Sequence, residues 1–244
     1  VLHLAAQPIV RESYKNPVYT YETNVMGTVN ICECVRTHAC VKSFLNVTTD
    51  KVYENKEWVW GYREHEALDG YDPYSNSKSC SELVTHSYIH SFFEADGTAV
   101  STARAGNVIG GGDFANDRII PDCVRAAIEK QPIIVRNPYS TRPYQHVLEP
   151  LAAYLMIAEK QYNDKSYAGF YNVGPDEKDC VTMGSYPGML CLYGSACGHR
   201  RGVGAGRRKP TGIEGCAEAL PAGFTEIPGC LFPDRQYALA LFGR

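Results

Sequence analysis

No run of about 18 apolar residues occurs in the 244-residue sequence, which therefore offers no membrane-spanning helix. Basic charge is also scarce: 24 Lys and Arg stand against 27 Asp and Glu, which excludes a broadly basic nucleic-acid binder. No secretory leader pattern is visible, and the ten cysteines are scattered through apolar periodic segments rather than loops. A reduced, cytoplasmic protein whose thiols are buried small hydrophobes is expected. No metal cluster is expected either. The nearest grouping is Cys32, Cys34, His38 and Cys40, but Cys32 and Cys34 lie two apart on a helix and diverge. Seventeen Tyr, 14 Pro and 22 Gly argue against a coiled coil or helical bundle.

What is present is an ordinary globular composition, 44% apolar and 21% charged, with a seam in it. Twelve of the 22 glycines fall in the last 62 residues. Seven basic and four acidic residues lie there too, leaving 17 against 23 in the first 182. Before the seam, strand and helix patterns alternate. The opening run at 1–6 reads as the end of a buried strand. Asn16-Pro17 then starts a helix in which Val18, Tyr21, Val25, Val29, Cys32 and Val35 recur at helical spacing up to about Thr37. Strands are expected at 42–48, 98–104, 132–136 and 170–173. Further helices are expected at 73–93, where Asp72 caps and Pro73 takes the first position, at 121–129 and at 149–161. A long polar and aromatic loop fills 49–71, and Gly97 stops the second helix. Alternation of this kind implies βαβ units, hence an α/β fold with a parallel sheet flanked by helices.

Two local patterns carry chemistry. Tyr74 and Lys78 are spaced i, i+4 at the start of a helix, so phenol and ammonium share one face, and the cation favours phenolate. Thr49, Asp50 and Lys51 end the preceding strand, where α/β sheets place ligands. Thr49 can hold a substrate hydroxyl near Tyr74, and Asp50 can act as an acid. Either pattern alone is common in helices and turns; their succession is not.

With these residues in place, 1–182 resembles the extended short-chain dehydrogenase/reductases, and within them the nucleotide-sugar 4,6-dehydratases. His3-Leu-Ala-Ala-Gln7 is similar to the family's H-x-A-A strand end, Asn24-Val-Met-Gly-Thr28 to its N-V-x-G-T helix, and Thr49-Asp50 with Tyr74 and Lys78 to its catalytic set. Thr49-Asp50-Lys51, where most members have T-D-E, resembles the branch that acts on CDP-glucose. So do 53–64, which includes Trp58, Trp60 and Tyr62, the run from Arg104 to Asp113, and the run from Arg136 to Pro150.

The resemblance implies a partial Rossmann-like sheet at 1–105 bearing the catalytic residues, a mainly substrate-binding subdomain interleaved with it at 106–182, and an atypical tail at 183–244. It implies NAD held by Leu4, Ala5, Ala6, Gln7, Asn24, Val47, Thr48, Tyr74, Lys78, Arg104 and Asn107. It further implies CDP-glucose held by Gln7, Thr49, Trp58, Asn107, Arg136, Arg142 and His146, with Arg142 suited to a bidentate phosphate contact. Arg142 in a surface salt bridge, His146 as a core histidine and the aromatics as loop packing are the plainer readings. A homodimer through the helices 17–37 and 73–93 is implied as well.

In the implied reaction Tyr74 takes the proton of the glucose 4-hydroxyl while Thr49 binds the same oxygen. Lys78 lowers the Tyr pKa and holds the ribose, and Asp50 protonates the departing 6-hydroxyl. Lys51 stands where a Glu would be the C5 base, so it either is neutralised by its surroundings or stabilises the enolate.

The family's G-x-x-G-x-x-G fingerprint, which cradles a pyrophosphate on a helix N-terminus, is absent from the sequence. Gly110-Gly-Gly112 follows the wrong strand, and 202–206 has the wrong spacing. The expectation is a chain whose first βαβ units are missing, which turns over little by itself, followed by a frame-shifted or poorly ordered tail. Two other readings remain open: another member of the extended family, acting on GDP-mannose or epimerising a sugar nucleotide, or a non-catalytic remnant that binds a nucleotide-sugar or a partner subunit.

Overall fold

A computed structural model describes residues 1–129, 131–185 and 212–213. The described chain divides into two compact units, one made of 1–108 with 147–174, the other of 109–146 with the described residues from 175 on. The expectation for the tail therefore lies largely outside the described residues.

The first unit is a four-stranded, wholly parallel sheet in the order β1-β2-β3-β8, formed by Leu2–His3, Ser43–Val47, Ala99–Ala105 and Phe170–Val173. Its register pairs His3 with Asn46, Asn46 with Thr102, and Ala103 with Tyr171. Because helices cover both faces, β3 is buried at all seven positions rather than alternating. Leu45, Ala103, Ala105 and Val173 pack with Tyr154 and Ile157 of α7 (Leu148–Asn163). On the other face, Phe44 and Val100 pack with Cys32, Val35 and Phe93. The α/β expectation holds. The opening strand is less buried than its sequence suggests, with Leu2 and Leu4 exposed and only His3 inside.

The helix expected at 17–37 is continuous but built from α2 (Pro17–Tyr21), a π-helical turn at Glu22–Met26 and α3 (Gly27–Thr37). A short helix before it, α1 (Val10–Lys15), was not foreseen. The second expected helix is α4 (Pro73–Tyr88), a π-helical turn at Ile89–Phe93 and the short α5 (Glu94–Asp96). Asp72 caps α4 as expected, its Oδ1 accepting from the Tyr74 and Ser75 amides at 3.0 Å each. Gly97 ends the run at φ 74°, a conformation that costs glycine little. Gly70 meets a different demand: a Cβ there would lie 2.3 Å from the Ser75 carbonyl carbon.

The helix-to-helix seam is small and polar. Thr28 and Ser81 hydroxyls lie 2.6 Å apart, Thr28 donates to the Asn24 carbonyl, and the Asn46 amide donates to Ser81 and Thr85. Burying the hydroxyls and the Asn46 NH2 is tolerable because they partner one another, while Asn46 Oδ1 is buried without a partner.

Past β4 (Val108–Ile109), the second unit contains α6 (Ile119–Ile128) and the short strands β5 (Ile133–Ile134), β6 (Thr141–Arg142), β7 (Gln145–His146) and β9 (Val181–Thr182), of which β6 and β9 pair antiparallel. The strand expected at 132–136 is thus shorter. Met183 packs with Cys123, Ile133 and Val135, and its amide donates to the Ser140 carbonyl at 2.9 Å. The first residues past the compositional seam are therefore still part of this unit. Cys32 and Cys123 are buried as expected, but Cys34 and Cys40 are exposed, which corrects the expectation of uniformly buried thiols. No described helix is long and apolar enough to cross a membrane.

Candidate active site

The site forms where β1 and β2 end and α4 begins. Beyond β2 the chain tightens into a 3-10 turn, Asp50–Val52, which Thr49 caps. The Thr49 hydroxyl donates to Asp50 Oδ1 at 3.0 Å, and the Lys51 amide approaches Thr49 Oγ1 at 3.5 Å. Thr49 is buried and Asp50 and Lys51 half-buried, so hydroxyl and carboxylate are presented together.

Helix α4 is driven against this turn by its N-terminus. The Tyr74 amide donates to the Ser13 hydroxyl at 3.1 Å, so α1 anchors the start of α4. Tyr74 is buried, and the Lys51 ammonium lies 5.9 Å from its ring centroid. One turn on, the Lys78 ammonium donates to the Val47 carbonyl at 3.1 Å. Burial pushes the Lys78 pKa down to about 8, against the opposing pull of Glu82. His3, at the end of β1, is held below the usual imidazole range, first by burial and then by the charge of Lys78.

The strand-end residues around this centre are tied together. Asn24 accepts from the Gln7 amide at 2.8 Å and donates to the Gln7 carbonyl at 3.1 Å and to Ser77 at 2.9 Å. The Gln7 side-chain amide donates to Thr20 and to the Ile9 carbonyl. Leu4 and Ala5 are exposed, Ala6 half-buried. Val47 offers its carbonyl to Lys78, and the Thr48 hydroxyl donates to Glu82 Oε1.

Glu82 escaped the sequence reading, although it stands one further i, i+4 step past Lys78. It is fully buried. Its Oε2 accepts from Thr102 at 2.8 Å and from Arg104 Nη2 at 2.9 Å, with His86 Nε2 at 3.5 Å. Burial alone would raise its pKa; the nearby His86, the hydrogen bonds of Arg104 and Thr48 and the Arg104 charge outweigh that and hold it down to about 2. Arg104, expected at the cofactor, is itself buried in this network and also donates to the Tyr53 hydroxyl at 2.8 Å and the Glu64 carbonyl at 2.7 Å. The Tyr53 hydroxyl donates to Asn172 at 2.6 Å.

The aromatic loop is ordered by stacking. Tyr53 and Tyr62 lie 5.2 Å apart at 10°, Trp58 packs on Tyr62 at 5.4 Å and Trp60 on Trp58 at 5.6 Å. Trp58 Nε1 and Asn107 Oδ1 are buried without protein partners, polar atoms that a ligand can satisfy. The other expected substrate residues belong to the second unit. Arg136 is exposed and pairs with Asp117 at 2.7 Å and Asp122 at 3.5 Å; Arg142 on β6 and His146 are half-buried.

Residues 1–174 match the model of a family described as GDP-mannose 4,6 dehydratase. Over 189 residues the chain is 51% identical to CDP-glucose 4,6-dehydratase of Salmonella typhimurium, a match covering 75% of this chain and 53% of that protein. It is 27% identical over 187 residues to dTDP-D-glucose 4,6-dehydratase of Dictyostelium discoideum, covering 72% and 41%. The chain thus spans about half the length, or less, of these curated relatives. Its fold is shared with UDP-N-acetylglucosamine 4-epimerase of Methanobrevibacter ruminantium, at a TM-score of 0.67 and 20% identity over 79% of this chain and 59% of that one. A double mutant of dTDP-glucose 4,6-dehydratase from Streptomyces venezuelae, solved with NAD bound, gives 0.65 and 23% over 79% and 56%.

Proposed function

Because the chain belongs to the GDP-mannose 4,6-dehydratase family of extended short-chain dehydrogenase/reductases, we propose that it carries the catalytic residues of an NAD-dependent dehydratase that converts CDP-glucose to CDP-4-keto-6-deoxyglucose and water. The observation that carries this reading is the acid Asp50 held beside Thr49, on a turn whose Lys51 reaches the ring of Tyr74. An epimerase has no need of an acid for a departing 6-hydroxyl. The identity to the Salmonella enzyme supports CDP-glucose as the sugar nucleotide.

The residues present fit the nicotinamide riboside end of NAD. The Lys78 ammonium has three protons and one hydrogen-bonded protein acceptor, the Val47 carbonyl, which leaves two for ribose hydroxyls. Leu4, Ala5, Ala6, Gln7, Asn24, Val47, Thr48, Arg104 and Asn107 are the remaining candidates to shape that end. The glycine fingerprint for the pyrophosphate is not in the sequence. When bound, NAD supplies a reversible oxidation at the sugar.

The chain's own groups do the proton work. The Tyr74 phenolate oxygen takes the 4-hydroxyl proton, and the Thr49 hydroxyl orients that oxygen. Lys78 stabilises the phenolate, because a cation favours the charged form of a neighbouring acid. The 4-ketone acidifies the C5 proton, and Asp50 gives a proton to the 6-hydroxyl as it leaves. The C5 proton goes to the Lys51 amine where that group is neutral; where Lys51 is the ammonium, it balances the charge of the enolate and another base takes the C5 proton. Trp58, Asn107, Arg136, Arg142 and His146 are the proposed substrate contacts. The helices of 17–37 and 73–93 expose the apolar side chains Val18, Tyr19, Met26, Leu83 and Phe92, which supports the proposed homodimer.

The test is a panel of CDP-glucose, UDP-glucose, dTDP-glucose and GDP-mannose, each with NAD and a protein in which residues 1–182 follow a βαβ unit bearing the glycine fingerprint. CDP-glucose is expected to give a product lighter by one water. Turnover of GDP-mannose but not CDP-glucose would overturn the substrate assignment.

A further inference from the structure

We infer that Asn172, on β8, is a positioning residue of this site: paired across the sheet with Arg104, it pins both legs of the aromatic loop at 53–64 and so holds the Trp58 indole N–H ready for the nucleotide-sugar. This rests on the reading of Trp58 as a substrate contact, and it adds a residue that acts on the substrate only through that loop. The register places Arg104 of β3 directly beside Asn172 of β8. Partners on neighbouring parallel strands send their side chains to the same face, so the two can grip one object.

Both residues hold the loop at its two ends. Asn172 Oδ1 accepts from the Tyr53 hydroxyl at 2.6 Å on the outgoing leg; on the returning leg its Nδ2 donates to the Tyr62 carbonyl at 2.8 Å and its backbone amide to Glu64 Oε1 at 3.0 Å. Arg104 repeats the pattern, its Nη1 donating to the Tyr53 hydroxyl at 2.8 Å and to the Glu64 carbonyl at 2.7 Å. The legs are thereby closed on each other, and the Tyr53 and Tyr62 rings stack at 5.2 Å. From that base the tip is built outward. The Lys56 amide donates to the Tyr62 hydroxyl at 2.7 Å, that hydroxyl donates to Asn55 Oδ1 at 3.2 Å, and Trp58 lies against the Tyr62 ring at 5.4 Å.

What the latch presents is a donor with nothing to donate to. Trp58 Nε1 is buried and has no partner, and a buried N–H left unpaired costs free energy that a ligand acceptor recovers. An Asn172 that only completed the Tyr53 hydroxyl would matter to stability and to nothing else. As part of a latch it decides where Trp58 stands, and the sequence supplies a reporter of that position. Trp58 and Trp60 are the two tryptophans of the chain, and both lie in this loop.

The experiment has two arms. The first is tryptophan emission and acrylamide quenching of the chain as it stands, without ligand, in a Trp60→Phe background that leaves Trp58 as the one tryptophan emitter. Asn172→Ala, and Tyr53→Phe, which keeps the ring but removes the shared hydroxyl, are each expected to move the emission to longer wavelength and to raise the quenching constant. Val35→Ala, a core deletion against Phe44 and Val100, is expected to lower the urea midpoint and leave both readings as they were. Unchanged quenching in Asn172→Ala, or in Tyr53→Phe should Asn172→Ala fail to fold, overturns the latch. The second arm is a double-variant cycle on KM in the fingerprint-bearing protein, with CDP-glucose or whichever member of the substrate panel is turned over, and with Tyr53→Phe as the stand-in if needed. Trp58→Phe and Asn172→Ala are each expected to raise KM about tenfold with kcat little changed, since one hydrogen bond made equally to the bound substrate and the transition state is lost. Asn172→Ala added to Trp58→Phe is expected to raise KM no further; effects that multiply overturn the inference. A parental KM in Trp58→Phe brings down the Trp58 reading itself. A wrong sugar nucleotide shows in the panel and does not touch the quenching result.

Discussion

Replacing Asn24 by alanine removes three hydrogen bonds at once from the seam between the end of β1 and α4. The side chain is 1% exposed. It accepts from the Gln7 amide at 2.8 Å and donates to the Gln7 carbonyl at 3.1 Å and to Ser77 at 2.9 Å. At about 1 kcal/mol net for each bond, Asn24→Ala is expected to cost about 3 kcal/mol, and more where the Gln7 groups stay dry and unpartnered. Asn24→Asp tests the division of that sum, because it keeps an acceptor for the Gln7 amide and loses both donors. Equilibrium urea unfolding gives the total. Hydrogen exchange at the Gln7 amide reads the local share, with about a hundredfold faster exchange expected in Asn24→Ala. A loss below about 1 kcal/mol together with unchanged exchange at Gln7 would refute the claim that Asn24 holds this strand end.

Lys78 predicts a pH dependence. Its folded pKa, about 8, lies below the 10.5 of an ordinary lysine, so between those values the unfolded chain binds more protons. Stability is therefore expected to rise with pH across that window, by up to about 3 kcal/mol, and urea melts of Lys78→Met should lack the rise. Gly70→Ala forces a Cβ to 2.3 Å from backbone and should cost about 2 kcal/mol in the same assay; a neutral result would contradict the packing at the start of α4. If the exposed apolar residues of the two long helices pair two copies, Leu83→Glu should shift sedimentation from dimer to monomer without changing the unfolding of the monomer.

The legible parts of the fold were those with local signatures. Asp72-Pro73 announced α4 because capping and a fixed φ act within one turn, and Tyr74 and Lys78 could be placed on one face from spacing alone. The six residues of α1 span too few turns to show a period, and Asn16-Pro17 drew attention past them. Glu82 and Arg104 are 22 residues apart, and their pairing exists only because α4 packs across β2 and β3; no linear pattern carries it. Cys34 and Cys40 misled for a related reason: apolar neighbours in sequence do not tell which side of a helix end faces water. The network from Arg104 through Tyr53 to Asn172 likewise joins a strand, a loop and a second strand.

The central claim is that Tyr74, Thr49 and Asp50 together dehydrate CDP-glucose. It is tested most directly by mass spectrometry of the product formed from CDP-glucose and NAD by the fingerprint-bearing protein and by its Tyr74→Phe variant. The parent is expected to yield a product lighter by one water, and the variant to lose at least a hundredfold in rate, the low end of what a positioned acid or base contributes. Equal rates from the two proteins would contradict the assignment of Tyr74 and with it the account of the site.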